Sequence, residues 1–155
     1  MSPAERERLI EMYVEEFINN ANYGVKHEIF APNFVDHTPI LGLPGNADGL
    51  EQAIRALHTG FPDRHAKIDE IVHIGDNAEL VRFTIEGTSQ GMFGGMPPTG
   101  RHVKYTGMSF GRYSPDGHIS EMWTYRDDLG YLQQMGLIPA AVQPATTEQP
   151  AHPAM

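Results

Sequence analysis

The chain has 155 residues, 40% of them apolar and 20% charged, which fits one globular domain and excludes fibrous and wholly disordered architectures. Twenty acidic side chains against eleven basic ones leave a net charge of −9, a surface that repels phosphate backbones and anionic headgroups, so neither nucleic acid nor membrane is an expected partner. There is no cysteine, so disulfides, thiolate metal sites and cysteine nucleophiles are excluded and any chemistry falls to carboxylates, imidazoles and hydroxyls.

The opening residues are charged where a secretion signal needs an apolar core, and a cytoplasmic location is expected. Ser2, Pro3 and Glu5 form a capping box, after which Ile10, Tyr13, Val14, Phe17, Ile18 and Ala21 recur at helical spacing. A shorter helix over 23–30 stops near Pro32, and 33–39 reads as a brief extended segment. Beyond the Gly42, Pro44 and Gly45 loop, Asp48 and Glu51 are expected to cap a third helix with Leu50, Ala53, Ile54 and Leu57 on one face, ended by Gly60 and Pro62.

Strands follow. Segments 66–74 and 79–87 alternate around an Asp76-Asn77 turn, and 102–113 and 118–127 form a second hairpin around Ser114-Pro115-Asp116-Gly117. Between the hairpins, 87–100 holds five glycines and two prolines with Met92, Phe93 and Met96 among them, the composition of an apolar lid. A short helix over 129–135 ends at Gly136, and 139–155 is too poor in apolar bulk to order, so a domain over 1–138 with a disordered Pro/Ala-rich tail is expected. Helices first and strands after make the class α+β, with the sheet expected to curve around the N-terminal helices as a cone enclosing a cavity.

Alternation along the last strand puts Ile119, Glu121, Trp123, Tyr125 and Asp127 on one face and Ser120, Met122, Thr124 and Arg126 on the other. The first set is taken as facing the cavity, because an aromatic wall raises a carboxyl pKa and prepares it for proton transfer. Asp127 then competes with Asp128 for the cap of the last helix, and the two aspartates allow one cap and one inward acid. Glu121 is expected to pair with Arg82 or Arg101. His37 and His102 could exchange protons or bond locally. The histidine spacings make no metal motif, and no phosphate-cradle or Gly-x-Ser-x-Gly pattern is present, which leaves cofactor-free acid/base chemistry or ligand binding.

The motifs Phe34-Val35-Asp36-His37-Thr38-Pro39, Phe61-Pro62-Asp63, Gly91-Met92-Phe93, Pro97-Pro98-Thr99-Gly100-Arg101, Glu121-Met122-Trp123 with Asp127, and Gln134-Met135-Gly136 resemble the SnoaL-like polyketide cyclases, of the nuclear transport factor 2-like fold. The likeness runs from about Tyr13 to Leu137. It implies a cone-shaped, mostly antiparallel barrel and cofactor-independent intramolecular aldol closure of a polyketide-like ketoester, with Asp127 as general acid/base and His37 in the pocket. Isomerisation, epoxide hydrolysis and plain ligand binding are the alternatives. Trp123, Glu121, Tyr125, Arg82, His102, Phe61, Met92, Phe93, Met96 and Met108 are the expected substrate contacts. The outer sheet face, through Val103 and Tyr105 or the opposite register, is expected to pair two copies in a homodimer or homotetramer.

Overall fold

The computed structural model describes residues 1–140; most of the expected disordered tail falls in 141–155, outside the described residues. Helix α1 (Pro3–Glu11) opens with the expected capping box: Ser2 Oγ accepts from Glu5 N–H while Glu5 Oε2 accepts from Ser2 N–H. It runs straight on as π-helical turns over Met12–Asn19, where Asn20 N–H reaches back five residues to Glu15 O. The wider turn is a conformation often met beside functional sites. After a 3₁₀ turn (Tyr23–Val25), α2 (Lys26–Ile29) ends where Phe30 adopts extended backbone.

Strand β1 (Phe30–Asp36) is a full sheet member rather than a brief extended piece, and it pairs in parallel with the last strand. Helix α3 (Ala47–Gly60) is capped by Asn46, whose side chain accepts from Gly49 N–H, not by Asp48 and Glu51. Those two carboxylates instead hold Lys26 Nζ, at 2.7 and 3.0 Å. Strands β2 (His65–Ile74), β3 (Ala78–Thr88), β4 (His102–Tyr113) and β5 (Ile119–Arg126) form the two expected hairpins, and α4 (Asp128–Gln134) follows.

The five strands lie in the order β1-β5-β4-β3-β2, antiparallel except at β1–β5. The sheet stays open, with β1 and β2 as its edges, and the helices cover one face. The class is α+β, as expected. Asn19 fastens the end of the first helical stretch to β2 by exchanging two hydrogen bonds with the Ala66 backbone, at 2.8 and 2.9 Å. The core between helices and sheet centres on Phe17 and Ile29, both fully buried. Phe17 meets Tyr23 and Phe30 edge-on, a geometry favoured by the ring quadrupoles.

One run of small residues keeps this core from filling completely. The inward positions of β4 include Gly107, Ser109 and Gly111, opposite Arg126, Thr124 and Met122 of β5 in antiparallel register. Phe83 fills the space at Gly107, where a Cβ would come within 2.6 Å of its ring. No side chain of similar size projects from Ser109 or Gly111, and a cavity remains above them.

Candidate active site

The cavity lies between the inner sheet face, the π-helical turns, α3 and the loop after β1, and it opens to solvent. Its apolar walls come from Ile10, Val14, Ile18, Leu50, Ile54 and Leu57 on the helices and Val81, Phe83, Ile85 and Met122 on the sheet. Thr38, Pro39, Ile40 and Leu43 of the loop complete it. That loop carries two successive left-handed residues, Leu41 at φ 58° and Gly42 at φ 67°. A leucine in that region is strained.

Into this apolar space project a few polar groups. Asp36, at the end of β1, shares the inward face with Phe34 and is 7% exposed. Its Oδ1 accepts from Thr38 N–H at 3.0 Å and from the Thr38 hydroxyl at 3.4 Å, an Asx-type turn that fixes the carboxylate. Thr38 Oγ1 in turn accepts from Thr124 N–H at 2.8 Å, and His37 N–H donates to Met122 O, so the turn is pinned to β5. Ser109 and Thr124 hydroxyls bond to each other across the inner face at 2.6 Å.

Tyr13, Arg64 and Arg126 also line the cavity. Burial, and secondarily the Asp36 charge, raise the Tyr13 phenol well above the usual tyrosine value, so it stays a neutral hydrogen-bond donor through the physiological range. Burial likewise lowers the Arg64 pKa, against the opposing electrostatic pull of Tyr105. Arg64 Nε and Nη1 are buried with no hydrogen-bond partner among the described residues. Glu79 contributes to the wall too, but it is committed to a buried ion pair with Arg6 and lies 2.5 Å from His73 Nδ1.

The expected face of β5 is therefore reversed. Met122, Thr124 and Arg126 look into the cavity, while Glu121, Trp123 and Tyr125 lie on the outer face, where Tyr125 is 68% exposed. A bulge explains part of the error: Tyr113 pairs with Ile119 but Arg112 with Glu121, so Ser120 is an extra residue and the alternation changes parity there. Asp127, expected to face inward, is exposed and caps α4 by accepting from Gly130 N–H at 2.9 Å, leaving Asp128 inside the helix.

His37 is outside as well, stacked flat on Trp123 with ring centroids 4.1 Å apart and its Nε2 3.1 Å from Glu121 Oε1. Glu121 thus pairs with His37 and, at 3.8 Å, with Arg112, rather than with Arg82 or Arg101. Arg82 pairs with Glu70 on the sheet exterior, Met108 is exposed on the same side, and His102 bonds to Thr88 and Glu86. Phe61 is buried in a second small cluster with Val103 and Met135, outside the cavity.

The segment between β3 and β4 does not line the cavity either. It is tied to the end of α3 through Gln90 and Gly91 N–H groups, which donate to Gly60 O, and Phe93 packs over Gly60. Met92 points to solvent, and Met96 closes a two-residue bridge with Phe93. Among the described residues no group of three or more histidine, aspartate or glutamate side chains is placed to hold a metal ion.

The residues that sequence reasoning missed are Tyr13, Asp36, Arg64 and Arg126. Period-two alternation from Phe34 was the available signal for Asp36: it puts 34 and 36 inside and His37 outside. Arg64, at a turn between a helix and a strand, gave none.

Comparison with protein families matches residues 7–135 to the SnoaL-like polyketide cyclases. The chain belongs to this family. Among solved structures, IdmH of Streptomyces antibioticus, described as a candidate polyketide cyclase, is 31% identical over 84% of this chain and 97% of its own, with a TM-score of 0.72. TsrD of Streptomyces laurentii superposes with a TM-score of 0.80 at 22% identity, covering 89% and 99% of the two chains, and shares the fold. AclR of Streptomyces galilaeus does so at 0.75 and 24%, covering 89% and 100%. Comparison with curated proteins finds no match. No helix among the described residues of this SnoaL-like chain is long and apolar enough to cross a membrane.

Proposed function

We propose that this member of the SnoaL-like family closes a ring in a polyketide-like ketone by an intramolecular aldol reaction, with Asp36 as the proton-transfer group. One observation carries the assignment to Asp36. It is the carboxylate in the cavity wall that, among the described residues, bonds only to Thr38, whereas Glu79 is held by Arg6.

Both bonds from Thr38 fall on Oδ1, and Oδ2 is the oxygen available to substrate. Asp36 Oδ2 takes a proton from a methylene flanked by carbonyls, the resulting enolate carbon attacks a ketone carbon held close to it, and the new alkoxide takes the proton back. Carbon–hydrogen and ketone π bonds break, a carbon–carbon and an O–H bond form, and no electrons leave the substrate. The Tyr13 hydroxyl and the Arg126 guanidinium line the same space and stabilise the enolate oxygen by donating to it. Asp127, which sequence reasoning favoured for this role, is a capping residue in this scheme.

The product is an isomer of the substrate. Incubation of the purified protein with a panel of aromatic polyketide ketoesters, followed by liquid chromatography with mass spectrometry, should give a product of unchanged mass and altered retention. Asp36→Asn should form it roughly 10²–10⁴ times more slowly. Full activity of Asp36→Asn removes the assignment.

A further inference from the structure

The most unusual group in the molecule is Arg64. It lies in the turn between α3 and β2, where its N–H donates to Phe61 O and its backbone passes so close to Gly87 that a Cβ there would lie 3.2 Å from Arg64 Cα. From this position the side chain enters the cavity wall. Two of its three guanidinium nitrogens, Nε and Nη1, are buried without a partner among the described residues. Folded proteins pair buried charges, because an uncompensated one is strongly destabilising. Arg126 lies on the same wall, its nearest carboxylate being Asp128 at 3.7 Å, and Asp36 spends Oδ1 on Thr38. With Glu79 already neutralised by Arg6, the cavity carries two guanidiniums and one open carboxylate, a local excess of positive charge inside a chain of net charge −9.

We infer that Arg64 is the anchor for a carboxylate on the substrate, so that the cavity takes a flat aromatic keto acid in its free-acid form in preference to the ester. The inference rests on the cyclase reading for the location of the substrate, and it adds the charge the substrate carries. The neutral phenol of Tyr13 lines the same cavity and supplies a further donor nearby. A carboxylate arriving there receives charge-assisted hydrogen bonds that Arg64 otherwise lacks. An ester receives weaker ones and leaves the cation uncompensated.

The test compares 1-hydroxy-2-naphthoate with its methyl ester by titration calorimetry on the full chain. The wild type should bind the acid about 10- to 100-fold more tightly, the range expected of hydrogen bonds to a charged group. In Arg64→Met the preference should vanish, while Arg8→Gln, on the exposed side of α1, should keep it. A second readout separates an anchor from a structural arginine: free of ligand, Arg64→Met should melt at or above the wild-type temperature, since it removes an unpaired buried charge. Equal binding of acid and ester, failure of the acid to bind the wild type, preference surviving in Arg64→Met, or a lowered melting temperature of ligand-free Arg64→Met each overturns the inference. Acid preference without any ring closure keeps the anchor and removes the cyclase; ring closure of esters without acid preference does the reverse.

Discussion

Replacing Glu79 with glutamine tests the electrostatic frame on which the cavity is built. Glu79 and Arg6 are 1% and 2% exposed, and Arg6 Nε donates to Glu79 Oε1. The remaining Arg6 donors are not idle, since Nη1 reaches Met1 O at 3.1 Å and Asp76 O at 2.8 Å. The guanidinium is thus locked in place and cannot swing out to water when its partner is neutralised. Glu79→Gln keeps shape and removes the charge, so the cost is that of an uncompensated buried cation, about 3–5 kcal/mol. For a chain of this length each kcal/mol lowers the melting temperature by roughly 2–4 °C, which gives a fall of about 6–20 °C. Guanidinium unfolding followed by circular dichroism should report the loss as a shifted midpoint at unchanged slope.

The double variant Arg6→Met, Glu79→Leu removes both charges and should recover roughly half of the loss or more, because hydrophobic replacements of buried ion pairs are often neutral. Recovery should be incomplete, as Met1 O and Asp76 O lose a donor. A loss below about 1 kcal/mol for Glu79→Gln, or a double variant no better than the single, would refute the reasoning.

Other measurements bear on the same molecule. His73 has its pKa raised, first by its bond to Glu79 and then by that to Glu7, so its contribution is fully present below the ordinary histidine value and is lost as pH rises through the raised one. Melting temperature should therefore decline over that interval, and His73→Gln should flatten the decline. Asp36→Asn should lower turnover by roughly 10²–10⁴ with little change in stability, because the amide oxygen still accepts from Thr38. Asp127→Asn should leave turnover near wild type, since asparagine caps helices about as well as aspartate. The outer sheet face presents Met108 and Tyr125, 46% and 68% exposed, and we propose that it pairs two copies. Light scattering at micromolar concentration should give twice the chain mass, and Tyr125→Lys with Met108→Lys should halve it.

Much of the fold was written in local patterns that act within a few residues. The capping box at Ser2 and Glu5, the alternation of Val81, Phe83 and Ile85, and the turn at Ser114–Gly117 each depend on neighbours in sequence, and each element formed where its pattern lay. The parallel pairing of β1 with β5 did not show, because the two strands stand at opposite ends of the described sequence and no local turn signal joins them.

The site was harder to read for a specific physical reason. Alternation divides a strand into two faces and does not say which face is inside. On β5 the sequence points to the aromatic set as inner, since aromatic neighbours would tune its carboxylates for proton transfer. Trp123 and Tyr125 instead lie outside, with His37 stacked on the indole, while the threonine and arginine face inward. The neighbouring strand carried the deciding information. Gly107, Ser109 and Gly111 occupy one face of β4, and residues that small cannot fill a core, so the face that bears them borders the void. Antiparallel register then brings Arg126, Thr124 and Met122 beside that void. A cavity is signalled in a sequence by what is missing from one strand, and its chemistry by the polar residues that the adjacent strand sets against the gap.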